Sequence, residues 1–206
     1  MTRRRGRLIV LEGIDGSGKS TLADSLVAKW AERGWPASRW HEPSDRRIGA
    51  QGAQADRADP RRAAMLFTLD RTLARPELES RLAEGDVIAD RSFYSTLAYQ
   101  GSRLGPVDRR GLETLERAAA VLPDLVVLLD LSAEAAIRRV GSRGRARSPL
   151  ERRTTLRRVG AAYRSYARKE RWVILDARRP PSELVDLADR AVLRRLGPPA
   201  RRRTLN

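Results

Sequence analysis

An α/β fold on a five-stranded parallel sheet flanked by helices is the class this sequence predicts, from three observations. Short apolar runs alternate with stretches of helical periodicity along the chain, the pattern of βαβ units. The first run leads straight into a glycine-rich loop that opens an amphipathic helix. Two later runs each end in a carboxylate, Asp90 and Asp130. With 206 residues, 41% of them hydrophobic, the chain is one domain's worth and can bury a core without staples. No internal repeat or composition shift divides it, so residues 1–206 read as a single domain.

Leu8 to Leu11 is the first buried-strand signal, ended by Gly13. Ser20 to Arg33 carries Leu22, Leu26, Val27 and Trp30 at helical spacing, and Gly34 and Pro36 stop it. Ala37 to His41 reads as a second strand, and Glu42 to Pro60 as a loop with room for one short helix. Arg61 to Glu84 is helical, with Met65, Leu66, Leu69, Leu73, Leu78 and Leu82 as its apolar set and a break expected at Pro76. Val87 to Ala89 and Leu125 to Leu129 are two more strands. Arg109 to Val121 and Ala133 to Val140 are helices, and the second runs into the Gly- and Arg-rich stretch Gly141 to Pro149. Leu150 to Glu170 is a long helix, Trp172 to Leu175 the last strand and Pro181 to Leu196 the last helix. From Gly197 the composition predicts a disordered tail.

Composition also excludes. With no cysteine there is no disulfide, thiolate catalysis, zinc finger or iron–sulfur cluster, and one histidine, His41, rules out a multi-His metal site. No apolar run approaches the ~18 residues that span a bilayer, and Leu8 to Leu11 is too short for a signal-peptide core. A soluble, cytoplasmic protein without membrane contact is expected. The formal charge is +16, but three of the 42 basic residues are lysines (Lys19, Lys29, Lys169), leaving 39 arginines. Such a bias fits an Arg-rich codon background as well as a polyanion partner. RNP-type aromatic motifs and zinc knuckles are absent, so no specific nucleic-acid partner is expected.

Gly13-Ile14-Asp15-Gly16-Ser17-Gly18-Lys19-Ser20 matches G-x-x-x-x-G-K-S/T and is followed by Thr21. The glycines let backbone N–H groups point inward at phosphate oxygens, and the helix N-terminus adds partial positive charge. Lys19 should reach the β- and γ-phosphates, and the Ser20 hydroxyl should ligate Mg²⁺. The motif predicts a nucleoside triphosphate site in a three-layer P-loop fold, and alone it does not separate a GTPase, a motor ATPase and a small-molecule kinase. A Ras-like GTPase would need an N-K-x-D motif, which the three lysines do not provide. In Asp90-Arg91-Ser92-Phe93-Tyr94-Ser95-Thr96-Leu97-Ala98-Tyr99-Gln100-Gly101, Asp90 ends a strand and can approach Mg²⁺ as a second metal group. Arg91 can neutralise a phosphate, and Tyr99 and Gln100 can line a base or sugar pocket. For Asp90 and Arg91 a plain surface ion pair is the other reading, and for Tyr99 core packing.

Together these blocks resemble the thymidylate (dTMP) kinase family. Leu11 to Thr21 is similar to its opening, Glu42-Pro43 to its E-P segment, and Leu66-Phe67-Thr68-Leu69-Asp70-Arg71 to its F-x-x-D/N-R helix. Asp90-Arg91 with Ser95 to Gly101 resembles its D-R-Y…S-x-x-A-Y-Q-G block, and Pro123 to Asp130 its fourth strand. The resemblance spans roughly residues 7 to 195. It implies transfer of the ATP γ-phosphoryl group to dTMP, giving dTDP, within dTTP synthesis. It implies Phe67 stacked on thymine, Arg71 holding the base or its neighbourhood, and Arg91 and Asp15 flanking the acceptor phosphate. Thr96, Tyr99 and Gln100 would close around base and deoxyribose, beside a cis Glu42–Pro43 peptide. Only Ile14, Asp15, Gly16 and Ser17 lie between the outer glycines, so the loop carries no arginine of its own. Arg138, Arg139, Arg143, Arg145 and Arg147 can supply that charge from a mobile lid at about 141–150, with Arg143 and Arg145 counted as catalytic. The family also implies a homodimer, on which these residues are silent.

Three departures concern the acceptor site and lid. Ser44-Asp45-Arg46 replaces G-G-T, Ser92 replaces an aromatic, and Arg147 to Glu151 replaces D-R-F-E. Deoxynucleoside kinases share the P-loop, the E-P segment and an E/D-R-S triplet, and in them Glu42 would act as a base. Polyphosphate-dependent nucleotide kinases share a D-R-S-aromatic-Tyr string but leave Ala98-Tyr99-Gln100-Gly101 unexplained. A basic nucleic-acid-binding protein with a vestigial nucleotide site is the alternative of a different class.

Overall fold

A computed structural model describes residues 5–141 and 153–198. Its five strands, β1 (Leu8–Glu12), β2 (Ala37–His41), β3 (Asp86–Asp90), β4 (Leu125–Asp130) and β5 (Val173–Asp176), form one parallel sheet in the order β2-β3-β1-β4-β5. β1 is central and buried along its length, which is why it reads as an unbroken apolar run rather than an alternation. Its register sets Leu11 beside Asp90 and Glu12 beside Leu128. The functional loops therefore leave the sheet at its carboxyl edge, where open α/β sheets form their ligand crevice.

Helices α1 (Lys19–Glu32), α2 (Arg46–Ala55), α3 (Pro60–Glu84), α4 (Phe93–Tyr99), α5 (Pro106–Ala119), α6 (Ala133–Gly141), α7 (Arg153–Lys169) and α8 (Pro181–Leu196) flank the sheet. Trp30 of α1 is fully buried and its indole N–H donates to Asp189 of α8 at 2.9 Å, tying two helices of one layer together. Among the described residues no helix is long and apolar enough to cross a membrane.

Several elements differ from the sequence expectation. α2 fills half of the expected loop because Asp45 caps it, accepting from the backbone N–H groups of Arg47 and Ile48. α3 begins at Pro60, behind the Asp59 cap, since proline suits the first helical turn. It also runs through Pro76 without a break. Leu78 and Leu82, two and six residues further on, are buried, so packing of the second half outweighs the hydrogen bond that Pro76 cannot donate. The expected apolar set of α3 divides: Leu78 and Leu82 face the core, whereas Met65, Leu69 and Leu73 are 48%, 47% and 64% exposed. α5 starts three residues early at Pro106 and stops before Ala120, whose backbone is extended. α4 was not expected as a helix; Ser92 caps it by accepting from Tyr94 N–H. The Glu42–Pro43 peptide is cis.

Candidate active site

The loop after β1 turns on three glycines with positive φ, Gly13, Gly16 and Gly18. Gly13 has φ +147°, and a Cβ there would lie 2.6 Å from the Leu129 carbonyl oxygen. Gly18 takes φ 98° immediately before α1, so the backbone turns into the helix with its N–H groups facing the loop interior. Ser17 N–H donates to the Ile14 carbonyl at 3.1 Å, and the buried Ser17 hydroxyl has no partner. The buried Lys19 ammonium donates to the carbonyls of Gly13 and Ile14 at 2.9 and 3.1 Å. Burial, and after it the nearby Arg91 charge, pushes Lys19 down to about 8, against the pull of Asp15, Asp90 and Glu12. Gly16 lies half-buried in the same turn, with Ser20 and Thr21 at its solvent mouth. From α6, Arg139 reaches back to the Gly16 carbonyl at 3.5 Å and to that of Ala177 at 2.8 Å.

Asp90 and Arg91 are neighbours in sequence but do not pair with each other. Asp90 Oδ2 accepts from the Ser20 hydroxyl at 2.5 Å and from Arg39 at 3.4 Å, while its buried Oδ1 has no partner. A hydroxyl and a carboxylate with an orphaned oxygen, converging at the phosphate loop, fit a Mg²⁺ that keeps most of its waters and takes other oxygens from substrate phosphates. Among the described residues no cluster of three or more His, Cys, Asp or Glu could hold a metal alone. Arg91 instead turns to the loop. Its guanidinium pairs with Asp15, donates to Ser95 at 3.1 Å and lies 5.4 Å from the Tyr99 ring centre. Its φ of 78° is left-handed, a costly conformation for arginine that this surround must hold in place. Burial opposes ionisation of Asp15, but Arg91 and Lys19 outweigh it and hold the carboxyl below its ordinary range. The Tyr99 hydroxyl accepts from Asp15 N–H at 3.1 Å.

Glu12 is a member of this cluster that the motif reading passed over. Fully buried, it accepts from Ser92 N–H at 2.9 Å, from the Ser92 hydroxyl at 2.8 Å and from Ser95 at 2.8 Å. Burial pushes its carboxyl up, opposed by Arg91 and by the two serines. The departure at Ser92 thus has a structural use: this short hydroxyl caps α4 and supports a buried carboxylate beside Arg91.

Beyond Arg91 opens a cleft with about 520 Å³ of empty space, continuous with solvent. Asp15, Glu42, Pro43, Phe67, Arg71, Arg91, Thr96, Tyr99 and Gln100, all expected from the sequence, line it together with Asp70, Ser92 and Ser95. Arg71 is less free than expected. It donates to Glu42 at 2.6 and 2.9 Å, pairs with Glu116 of α5 and lies 3.4 Å from the Thr96 hydroxyl. Removing that guanidinium would leave two buried carboxylates without their cation, at a cost of about 3–5 kcal/mol, so Arg71→Ala confounds binding with folding. Glu116, 0% exposed, was missed. Its only sequence signal is one turn of spacing from Leu112, which puts a carboxylate on an apolar helix face. Asp70 was quoted in its motif without a role; it accepts from Ser44 and Asp45 N–H at 2.8 and 2.7 Å and so fixes the segment that departs from G-G-T. His41 is exposed at the end of β2. The expected lid, with Arg143, Arg145 and Arg147, and the tail from 199 onward lie outside the described residues.

A parallel sheet with a glycine loop, lysine and hydroxyl at its carboxyl edge, facing a cleft of arginines and carboxylates, defines a P-loop phosphotransferase. The family model described as "Thymidylate kinase" matches residues 11–188. A probable thymidylate kinase of Archaeoglobus fulgidus is 35% identical over 180 residues, covering 86% of this chain and 90% of the relative. One from Thermococcus gammatolerans is 42% identical over 156 residues, 67% and 72% of the two chains. The thymidylate kinase of Leifsonia xyli is 39% identical over 203 residues, 89% and 92% of the two. The chain belongs to the thymidylate kinase family.

Proposed function

We propose that this chain, acting as one kinase domain, transfers the γ-phosphoryl group of ATP to dTMP to give dTDP, a step in dTTP synthesis. The observation that carries the reading is the Asp15–Arg91 pair, which belongs at once to the phosphate loop and to the cleft. Phosphoryl transfer to an anionic acceptor needs charge neutralisation and alignment more than it needs a base. Gly13 to Thr21 cradle the donor phosphates, and Lys19 carries charge to the β- and γ-oxygens. Arg91, held by Asp15 and Ser95, receives the acceptor phosphate on the other side. Ser20 and Asp90 would hold a Mg²⁺, which would supply positive charge against the donor oxygens. Pro43 and Phe67 give the base an apolar wall, and Thr96, Tyr99 and Gln100 give it a polar one. Arg71 acts from behind through Glu42. Arg71 anchors Glu42 through two hydrogen bonds, both to Oε2, and the Arg91 guanidinium in the same cleft favours an anionic monophosphate over a nucleoside as acceptor. Arg143 and Arg145 add charge at the transferring group from the segment after α6.

Two further attributes complete the proposal. The enzyme works in the cytoplasm, where its nucleotides are. It works as a homodimer, because Met65, Leu69 and Leu73 recur at four-residue spacing and form one exposed apolar stripe on α3. A coupled ADP-release assay with Mg-ATP against dTMP, dUMP, thymidine and deoxycytidine tests the central reading. Turnover with dTMP that Lys19→Ala abolishes is expected. Turnover with a nucleoside and none with a monophosphate would overturn it and make Glu42 the base.

A further inference from the structure

Asp56, which follows α2, belongs to no motif and lies outside the cleft lining, yet it is 2% exposed. Its Oδ1 accepts from the Gln100 side-chain nitrogen at 2.9 Å and from Arg103 at 2.9 Å. Arg103 also donates to the Asp56 backbone carbonyl at 2.6 Å, so this oxygen is held from two directions. Its Oδ2 is buried without a partner. A carboxylate paired to a guanidinium only accepts hydrogen bonds, and a side-chain amide can meet it only through its NH₂. The Gln100 amide therefore has one permitted orientation: nitrogen toward Asp56 and carbonyl oxygen at the end that remains for the cleft Gln100 lines.

We propose that Asp56 is a positioning residue for base selectivity, fixing the Gln100 amide so that the cleft presents an acceptor to the base edge. Resting on the reading of this cleft as the dTMP site, the inference adds how the site tells pyrimidines apart. The Watson–Crick edge of thymine carries an N3–H donor, which a carbonyl oxygen accepts. Cytosine carries a lone pair at N3, which the same oxygen repels. An unrestrained glutamine could turn its NH₂ to cytosine and would discriminate weakly. A site whose polar group is locked in one orientation rejects the mismatched partner, because the group would be left unpaired.

The test is kcat/KM for dTMP and for dCMP in the wild type and three variants, with melting temperatures measured in parallel. Asp56→Ala removes the acceptor and frees the amide. The dTMP-to-dCMP ratio is expected to fall about 10-fold, the scale of one hydrogen bond, mainly through KM. Asp56→Asn is expected to keep most of the ratio, since Arg103, a donor only, holds the asparagine carbonyl oxygen at the Oδ1 position. The double change Asp56→Asn with Arg103→Met releases that oxygen and is expected to lower the ratio again, at nearly unchanged side-chain volume should Asp56→Ala fail to fold. A folded Asp56→Ala, or the folded double variant, with the wild-type ratio overturns the role of Asp56 and leaves the dTMP assignment standing. A wild type that does not phosphorylate dTMP overturns both.

Discussion

Lys19 carries the most direct pH signature in the molecule. Its folded value near 8 lies below the ordinary 10.5 because burial disfavours the ammonium and Arg91 repels it. A polyphosphate beside it favours the charged form, so ATP binding takes up a proton above about pH 8. ATP affinity is expected to hold steady below about 8 and to weaken as pH rises through it. Titration calorimetry across pH 7 to 9.5 checks this, and Lys19→Met, weaker throughout, should lose the slope. Stability runs the other way for this group. Between about 8 and 10.5 the unfolded chain holds one more proton than the folded one, so the Lys19 contribution rises with pH across that window. The same scale shows what a sequence conceals. Gly13 to Ser20 were legible because a phosphate cradle demands those residue types at that spacing. Asp56 and Glu116 were not, because each finds its partner 44 or 45 positions away in the chain and no local pattern marks it.

At the scale of elements, α3 and the Glu42–Pro43 segment form one wall of the cleft, and α2 packs behind it at a closeness its glycines set. A Cβ on Gly52 would stand 2.6 Å from the Phe67 ring, and one on Gly49 would stand 2.6 Å from the Pro43 ring. Both glycines lie three apart on one face of α2, so this helix fixes the two apolar surfaces offered to the base. Gly52→Ala is expected to displace the far end of Phe67 rather than unfold the helix. It should raise KM for dTMP about 10-fold with kcat much less affected, and the gain in helix propensity of up to about 1 kcal/mol should offset part of any packing loss. Steady-state kinetics beside a thermal melt separates these effects. Sequence reading located every strand, most directly β1, β3 and β4, since a buried parallel strand is an apolar run whatever surrounds it. It failed where tertiary packing decides. Pro76 reads as a breaker but lies in a helix anchored by Leu78 and Leu82, and the stripe Met65–Leu69–Leu73 reads as core although it faces outward.

Across the whole molecule, two features act beyond the site. The exposed α3 stripe predicts self-association: Leu69→Arg should convert a dimer to monomer in light scattering, whereas a wild type that is monomeric at micromolar concentration removes the dimer. Arginines pair with carboxylates across the surface, from Arg5–Asp124 at one end to Arg179–Glu183 at another, most of them at least partly exposed, and the formal charge of +16 is the basic excess beyond such pairing. Such pairs contribute little to stability individually. Among the described residues, buried charge concentrates at Arg71, Glu42 and Glu116 in the cleft wall and where β1 and β3 end, around Asp15, Lys19, Asp90 and Arg91, the cluster that reaches the phosphate loop. The sharpest test of the account is therefore the dTMP kinetics of Arg91→Gln with ATP affinity measured alongside. With Arg91 as the acceptor-phosphate group, kcat/KM for dTMP should fall by about 10²–10³, as for loss of one preorganised charge-stabilising donor, while ATP still binds. Near wild-type turnover of dTMP by that variant would contradict the account.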